Sequence, residues 1–324
     1  MENQKNILEG IHVIDGGLAS ELEARGARID GPLWSAHVLE DEPARVKAVH
    51  RAYIEAGAQL VATCSYQVSR MGYAEVGLSA AQADAALLRA VRLAREVVAE
   101  FPQKRVLVAA SLGPYGAALH NGGEYTGDYA CSFSDLVRFH RERIQVLDCA
   151  SGNEAPDNEA PDLLAFETFP SLDEARAVAV ALADYPRLKA WFSFSCRDAR
   201  HTAHGEPIEE AAAFAASLPQ TVAVGVNCVA ARWLPELIAE LKRASQKPVL
   251  VYPNSGEGWD AVNRCWSGET RAADYGAQAV QWFAAGAQIV GGCCRIGPAH
   301  IREAAQAATE FFSSEPLAGG AKKS

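Results

Sequence analysis

The chain lacks the features expected of a membrane, secreted or nucleic-acid-binding protein. Its 324 residues contain no run of about 18 consecutive apolar residues, so no membrane-spanning helix is expected. The amino terminus, MENQKN, has no basic region followed by an apolar stretch, so no secretory signal is predicted. Lys and Arg number 30 against 40 Asp and Glu, and a net charge of −10 does not attract nucleic-acid phosphates. We therefore expect a cytoplasmic protein whose eight cysteines are reduced thiols suited to metal binding or catalysis.

Several catalytic signatures are also missing. No glycine-rich phosphate-binding turn follows the first apolar run, and no Gly-x-Ser-x-Gly nucleophile elbow is present. Lys104, Lys189 and Lys247 fall at the starts of apolar runs rather than at their ends. This placement argues against the Schiff-base lysine of an aldolase, which would have to reach the active face of the fold.

Short apolar runs alternate with amphipathic stretches along the chain. The runs are rich in β-branched, aromatic or small residues, which is typical of strands buried on both faces of a parallel sheet. The stretches between them have a period near 3.6 residues, and several begin with helix-start signals, such as Ser79, Ser134 and Pro298. The eight runs are 12–15, 59–64, 105–112, 163–168, 189–196, 221–228, 248–254 and 288–293. The predicted helices are 43–56, 80–101, 134–149, 172–185, 208–218, 233–245, 272–285 and 298–312.

Eight strand–helix units predict an α/β fold, a closed (β/α)8 TIM barrel forming a single domain. We expect a lead-in over 1–10, the barrel over 11–312 and a disordered tail over 313–324. An open doubly wound sheet is the alternative, although it would usually carry the missing glycine-rich turn. The tandem repeat NEAPD-NEAPD over 153–162 predicts a flexible surface loop at the amino-terminal face of the barrel.

The carboxyl ends of the strands line the active site in barrels of this kind. Three cysteines lie there: Cys228 ends the sixth run, and Cys293 and Cys294 end the eighth. The two strands are separated by one other, about 10 Å apart at the backbone, so inward side chains could meet. Glycines 291 and 292 could relax the backbone and turn both sulfurs toward one metal. Three thiolates with one open position are typical of catalytic rather than structural zinc.

Other interpretations of the cysteines stay open at this point. Buried cysteines often serve as small apolar residues. A competing metal site is conceivable in one loop, where Cys196 is followed by His201 and His204. Asp15 and Glu167 end the first and fourth runs, on opposite sides of the ring, where paired carboxylates can act as acid and base or hold an ammonium group. Asp15 also fits a structural role, because Asp-Gly-Gly is turn chemistry.

Short motifs extend over nearly the whole chain, and the most specific pairs Asn227-Cys228 with Gly-Gly-Cys-Cys at 291–294. Together they resemble the homocysteine S-methyltransferase family, most closely the branch that uses S-methylmethionine or S-adenosylmethionine as methyl donor. The other matching motifs are Asp15-Gly16-Gly17, Leu33-Trp34-Ser35-Ala36, Thr63-Cys64-Ser65-Tyr66-Gln67, Gly113-Pro114-Tyr115-Gly116, Gly127-Asp128-Tyr129, Glu167-Thr168 and Tyr252-Pro253-Asn254-Ser255-Gly256-Glu257.

The resemblance implies a role for each matching site residue. Cys228, Cys293 and Cys294 would bind Zn²⁺ and act in catalysis through activation of the substrate thiol. Asp15 and Glu167 would hold the amino group of homocysteine. The remaining expected substrate-binding residues are Gly16, Gly17, Thr168 and Asn227, with the carboxylate of homocysteine near the two glycines. The expected donor-pocket residues are Trp34, Tyr66 and Tyr129.

The chemistry of the residues agrees with this implied reaction, the formation of methionine from homocysteine and a sulfonium donor. A free thiol has a pKa of about 8.5, so little of it is thiolate at neutral pH unless a metal binds it. Attack of a thiolate on a sulfonium methyl group cancels opposite charges, which a dry pocket favours. The partners are therefore expected to be small molecules, without nucleic acid or membrane. A betaine-type homocysteine methyltransferase and a non-enzymatic structural zinc barrel remain as alternatives.

Overall fold

The computed structural model describes residues 6–29, 33–151, 159–256, 258–260, 265–267 and 272–314. Within these ranges, the side chains at 34, 35, 258–260, 265–267 and 314 are not described. The strands are β1 (Leu60–Ala62), β2 (Leu107–Leu112), β3 (Leu163–Phe169), β4 (Ala190–Phe194), β5 (Thr221–Ala230), β6 (Val249–Asn254), β7 (Gly258–Asp260), β8 (Cys265–Ser267) and β9 (Ile289–Val290).

Helices follow most strands. They are α1 (Leu18–Ala24), α2 (Val38–Asp41), α3 (Pro43–Ala56), α4 (Arg70–Glu75), α5 (Ala80–Val98), α6 (Tyr115–Ala118), α7 (Phe133–Ala150), α8 (Leu172–Leu182), α9 (Ile208–Ser217), α10 (Leu234–Ala244), α11 (Tyr275–Ala285) and α12 (Pro298–Ser314). The 3₁₀ helices are Trp34–His37, Gly123–Tyr125 and Ala231–Trp233. The predicted alternation of strands and helices is confirmed.

Seven strands form one curled parallel sheet in the order β1-β2-β3-β4-β5-β6-β9, and β7 and β8 form a separate antiparallel pair. Five of the seven lie within predicted apolar runs, while β3 and β5 extend past the ends of theirs, to Phe169 and Ala230. The remaining run, 12–15, forms isolated parallel bridges instead, Val13 with Val290 and Ile14 with Leu60. This segment therefore contacts the first and the last strand of the sheet at once.

Local sequence explains where several helices begin. Ser79 caps α5 in a capping box with Gln82, as its sequence pattern predicts. The start of α7 differs from the prediction, because Ser132 rather than Ser134 is its N-cap. Asp135 completes that capping box by accepting from the Ser132 backbone amide. The short helices α1, α2, α4 and α6 were not predicted, because each is shorter than two turns and shows no periodicity.

Two apolar clusters hold the layers together. The larger one packs the helices against the outer face of the sheet. The smaller one fills the inside of the curled sheet, with Trp191, Leu250 and Ile14 among its members. Apolar residues on both faces explain why the strands appear in the sequence as continuous apolar runs.

Some predicted segments lie at the edge of what the structure describes. Of the tandem repeat, 153–158 lies outside the described residues, while Asp162 pairs with Arg95 of α5 at 2.9 Å. Helix α12 extends to Ser314, two residues into the predicted tail, and the rest of that tail lies outside the described residues. No helix in the described ranges is long and apolar enough to cross a membrane.

Close packing inside the sheet makes a prediction about Gly225 of β5. A Cβ at this position would overlap the backbone carbonyl of Leu250 on the neighbouring strand, which has no room to move. We expect Gly225→Ala to lower the apparent free energy of unfolding by about 1–3 kcal/mol. Gly276→Ala in α11 is the matched control, because its Cβ would meet nothing closer than 3.4 Å and alanine favours a helix. Urea denaturation checks both, and equal midpoints for the two variants would contradict this account.

Candidate functional site

A cavity of about 150 Å³ opens at the carboxyl ends of the sheet strands. It lies where the fold places the ends of neighbouring strands together, as expected for parallel β/α architectures. Its lining is Ile14, Asp15, Gly16, Gly17, Leu18, Ala19, Ser20, Ala62, Thr63, Cys64, Tyr66, Gln67, Ser111, Glu124, Tyr125, Glu167, Thr168, Asn227, Cys228, Tyr252, Gly292, Cys293 and Cys294. Most of the residues predicted from the sequence to form the site therefore border one cavity.

The three predicted cysteines meet at one side of this cavity. The sulfurs of Cys228, Cys293 and Cys294 all lie within 4.8 Å of one another, and Cys228 and Cys294 are 3.8 Å apart. None of the three forms a disulfide. Two sulfurs on a tetrahedral zinc ion, with Zn–S bonds of about 2.3 Å, lie about 3.8 Å apart. The donor set and its spacing thus fit a metal ion of this kind.

A break in strand β5 turns Cys228 toward the cavity. The register between β5 and β6 shifts after Asn227, and Cys228 takes a left-handed backbone conformation with φ of +54°. Such a conformation is uncommon for a residue with a side chain and is found mainly where function requires it. A bulge of this kind redirects a side chain that regular pleating would point elsewhere.

Asn227 connects the carboxyl end of β5 to the carboxyl end of β3. Its side-chain oxygen accepts from the Thr168 amide at 2.8 Å and from the Ser193 hydroxyl at 2.7 Å. Its side-chain nitrogen donates to the Thr168 hydroxyl at 2.7 Å. Thr168 follows Glu167 and also has a positive φ, +61°, at a register shift in β3. Asn227 and Thr168, both expected to bind substrate, line the cavity and also position each other.

The two positions before Cys293 are glycines because a side chain there would overlap neighbouring residues. Both sulfurs turn toward one site as expected, but neither Gly291 nor Gly292 has a positive φ, so neither is required for left-handed backbone. A Cβ on Gly291 would instead overlap Ile14, and one on Gly292 would overlap Ile296. The missing side chains let this turn approach the 12–15 segment closely. The amide of Cys293 then donates to the Pro253 carbonyl at 2.8 Å.

Hydrogen bonds among the three thiols shift their pKa values in opposite directions. Hydrogen bonds from the thiols of Cys293 and Cys294 lower the pKa of Cys228 well below its ordinary value. The same hydrogen bonds to Cys228 raise the pKa of Cys293 and of Cys294. Of the three thiols, the hydrogen bonds therefore favour the loss of a proton from Cys228, and a thiolate is the form that binds metals.

Asp15 and Glu167 are both buried beside the cavity. The Asp15 carboxylate accepts from the Ala62 amide at 2.9 Å. Glu167 accepts from the Ser111 hydroxyl and, at 3.0 Å, from the Tyr252 hydroxyl. Burial raises the pKa of Asp15 well above its ordinary value, and the charge of Glu167 adds to this shift. Burial likewise raises the pKa of Glu167 to about 7. A bound cation would relieve the cost of ionising both groups.

The main chain at Gly17 differs from what the resemblance implies. Its amide donates to the Ile296 carbonyl at 2.9 Å, so it is already engaged and does not point to a substrate carboxylate. A Cβ on Gly16 or Gly17 would overlap the carbonyl of Ile296 or Cys293, respectively. The glycines thus allow the turn after the first run to pack against the turn that carries Cys293.

The three donor-pocket candidates have different outcomes. Tyr66 lines the cavity as expected. Tyr129 does not, because its hydroxyl donates to the buried Glu174 at 2.8 Å and its ring packs on Tyr115. The side chain of Trp34 lies outside the described residues, although its backbone belongs to a 3₁₀ helix.

The sequence analysis missed two residues of the site, Glu124 and Tyr125. Both lie in the 3₁₀ helix Gly123–Tyr125 and border the cavity. The Tyr125 hydroxyl is 3.1 Å from the Cys228 sulfur, while 42% of the residue's surface is exposed. The only signal in the sequence was their position just before Gly127-Asp128-Tyr129, since one 3₁₀ turn has no periodicity to detect.

The competing metal site in the loop after β4 does not assemble. Among the described residues, only the three cysteines of the cavity form a group of metal-ligand atoms. His201 is hydrogen bonded to Asp198 at 2.9 Å, and His204 to Glu206 at 3.0 Å. Cys196 is buried and its segment bridges Thr202.

Comparison with known proteins agrees with this geometry. The chain is 44% identical over 302 residues to a homocysteine S-methyltransferase of Escherichia coli (strain K12), covering 90% of this chain and 94% of that protein. It is 41% identical over 301 residues to homocysteine S-methyltransferase YbgG of Bacillus subtilis (strain 168), covering 90% and 93%.

A solved structure is similar over the same extent. The metallated form of the homocysteine methyltransferase MmuM from Escherichia coli superposes with a TM-score of 0.80 at 41% identity, covering 91% of this chain and 96% of that one. The sequence model of the homocysteine S-methyltransferase family matches residues 12–308. The chain therefore belongs to the homocysteine S-methyltransferase family.

Proposed function

We propose that this protein transfers a methyl group from a sulfonium donor, S-methylmethionine or S-adenosylmethionine, to the thiol of L-homocysteine and so forms methionine. The observation that carries the proposal is the cluster of three thiols at metal-ligand spacing, open to a cavity lined by buried carboxylates. The names of the relatives supply the acceptor and the reaction class.

The proposed cofactor is Zn²⁺ held by Cys228, Cys293 and Cys294. Three thiolates with one open position favour zinc in a catalytic role, and the soft sulfur ligands disfavour Mg²⁺ and Ca²⁺. When bound, Zn²⁺ would lower the pKa of the homocysteine thiol, so that the thiol reacts as a thiolate at neutral pH. Since the ligands must be reduced thiols, the proposal includes a reducing compartment such as the cytoplasm.

Asp15 and Glu167 are the proposed binding site for the ammonium group of homocysteine. Burial raises the pKa of both residues, which makes their ionised forms unfavourable. A bound cation would stabilise the ionised forms. Asn227 and Thr168 keep the strand ends with Glu167 and Cys228 in register. Gly16 remains the proposed neighbour of the substrate carboxylate, and Tyr66 and Trp34 remain proposed donor-pocket residues.

The methyl group would move by in-line displacement. The cavity has to hold the attacking sulfur and the methyl carbon about 3–3.5 Å apart. Because the thiolate is negative and the sulfonium positive, their charges cancel as the methyl moves, and exclusion of water favours the reaction. No covalent enzyme intermediate and no general base are needed once the thiol is deprotonated.

We also propose that the 12–15 segment completes the sheet as an eighth strand and closes a (β/α)8 barrel, as a single domain over 11–312. Its bridges to β9 and β1 support this closure. Hydrogen bonds run on both sides of the segment, from Val290 to the His12 carbonyl and from Gln59 to the Val13 carbonyl, each at 2.9 Å.

The direct test is methionine formation by reduced, zinc-loaded protein supplied with homocysteine and S-methylmethionine. Parallel reactions contain S-adenosylmethionine or betaine as donor. Turnover with either sulfonium donor supports the proposal. Turnover with betaine alone would show that the methyl donor is betaine and not a sulfonium compound. Failure with all three would instead favour a structural metal site.

The thiol cluster makes a prediction about metal and activity together. We expect Cys294→Ser to bind less than one tenth of the zinc of the parent protein and to lose turnover, because a hydroxyl is a poor replacement for a thiolate ligand. Cys149→Ser, at an exposed cysteine of α7, is the matched control and should retain both. Zinc content by mass spectrometry and turnover check this; full activity in a zinc-free Cys294→Ser protein would refute the metal mechanism.

The buried Glu167 makes a prediction about pH. Its pKa rises from 4.5 to about 7 on folding, so its stabilising contribution is complete below about pH 4.5 and is lost as the pH rises through 7. Glutamine cannot ionise and avoids this loss. We expect Glu167→Gln to unfold at a higher temperature than the parent at pH 8, with the difference shrinking toward pH 5. Its kcat/KM for homocysteine should fall about 10- to 100-fold, since the ammonium loses a charged partner.

Thermal unfolding from pH 5 to pH 8 measures the first effect, and initial rates measure the second. Glu236→Gln, at an exposed position of α10, is the control and should show neither. A stability difference that stays constant with pH would show that Glu167 is not the buried ionising group described above.

A further inference from the structure

The charged groups around the cavity are unbalanced. Among the described lining residues there are three carboxylates, Asp15, Glu124 and Glu167, and no lysine, arginine or histidine. Such a cavity attracts cations and repels anions. The ammonium of homocysteine accounts for Asp15 and Glu167 in the proposed function, which leaves Glu124 without an assigned partner.

Glu124 differs from the other two carboxylates in its hydrogen bonding. Only 9% of its surface is exposed, and its Oε2 atom is buried without a hydrogen-bond partner. Asp15 and Glu167, by contrast, each accept hydrogen bonds from donors on other strands of the sheet. A buried carboxylate oxygen without a partner is costly, and one that borders a cavity can be satisfied by a bound cationic ligand.

The position of Glu124 is fixed by the surrounding fold. Its backbone carbonyl accepts from the Ser195 hydroxyl, at the end of β4, at 2.9 Å. Gly116 of α6 packs so closely on the 3₁₀ helix that a Cβ there would come within 2.5 Å of the Glu124 amide nitrogen. The next residue, Tyr125, contacts Cys228. The backbone of Glu124 is therefore fixed beside the cavity, and its carboxylate is buried there.

Glu124 also lies near the thiol cluster, because the hydroxyl of the adjacent Tyr125 is 3.1 Å from the Cys228 sulfur. The charge of Cys228 acts on Glu124 and on Glu167 and adds to the rise in the pKa of both carboxyl groups. Burial raises the pKa of Glu124 to about 7, so its ionised form is unfavourable until a positive group arrives. An in-line displacement needs the cationic donor next to the thiol cluster, which is the side where Glu124 lies.

We propose that Glu124 is a specificity-determining residue that binds the sulfonium methyl donor through its positive charge; this rests on the proposed function and extends it. The contact is strongest before reaction and weakens as the sulfonium becomes a neutral thioether. It therefore contributes to donor affinity and to release of the product, and not to stabilisation of the transition state.

The test compares Glu124→Gln with the parent enzyme, both reduced and zinc-loaded, at saturating homocysteine. We expect the KM for S-methylmethionine to rise about 10- to 100-fold, the size of a lost hydrogen bond to a charged group, with kcat changed less than about threefold. The KM for homocysteine should stay within about twofold of the parent value.

A neutral probe separates charge from shape. Homoleucine has the shape of S-methylmethionine with a CH group in place of the sulfonium sulfur, and it serves as a competitive inhibitor. Its inhibition constant should be the same in parent and Glu124→Gln. Glu240→Gln is the matched control, because Glu240 is a buried carboxylate of α10 that pairs with Arg243 away from the cavity. It should leave all of these constants unchanged.

The results of these experiments distinguish a failure of the Glu124 assignment from a failure of the proposed reaction. Equal weakening of homoleucine and S-methylmethionine would mean that Glu124 shapes the cavity or binds the α-ammonium group that both molecules carry. A lower kcat at constant donor KM would mean that Glu124 acts on the thiol proton. Either result overturns the proposal. If the parent enzyme turns over no donor, calorimetric binding of S-methylmethionine still tests Glu124. Binding that weakens in Glu124→Gln supports the assignment while the proposed reaction fails, and no binding to the parent overturns both.

Discussion

One side-chain amide ties together the two strand ends on which the site depends. Asn227 is almost fully buried and hydrogen bonds to the backbone and the side chain of Thr168 across the intervening strand β4. Thr168 and Cys228 both adopt left-handed backbone, which costs about 1–2 kcal/mol at each residue that has a Cβ. The hydrogen bonds offset this cost, and they keep Glu167 and Cys228 at fixed relative positions. Loss of the amide would therefore disturb the Glu167 carboxylate and the Cys228 thiol together.

The second constraint is electrostatic. Burial raises the pKa of Asp15, Glu124 and Glu167, so the protein folds with carboxylates that are costly to ionise. Their contribution to stability is lost as the pH rises through the raised values, which for two of them are about 7. Binding of cationic groups recovers this energy. In the proposed function, substrate binding and protein stability are therefore coupled through the same residues.

Much of the fold could be predicted from the pattern of residues, because burial on both faces makes each parallel strand a continuous apolar run. Seven of the predicted runs coincide with the seven sheet strands to within two residues at their carboxyl ends or contain them, and α3 has the predicted bounds, Pro43–Ala56. The thiol cluster could also be predicted, since strand order brings residues at the ends of neighbouring strands together. The 12–15 segment was recognised as part of the sheet but not as a set of isolated bridges, and the 3₁₀ helix Gly123–Tyr125 was not recognised at all. Single turns have no periodicity and are held mainly by tertiary contacts.

The sequence by itself determined which residues end the strands, and therefore which thiols and carboxylates face a common cavity. It did so because strand and helix periodicity are local properties of the chain. Only the tertiary structure decided how those residues are aimed. The Gly291 and Gly292 pair serves close packing and not backbone freedom, Tyr129 turns away to Glu174, and Glu124 enters the cavity from a connecting segment. These outcomes depend on contacts between residues far apart in the chain, which no local pattern encodes.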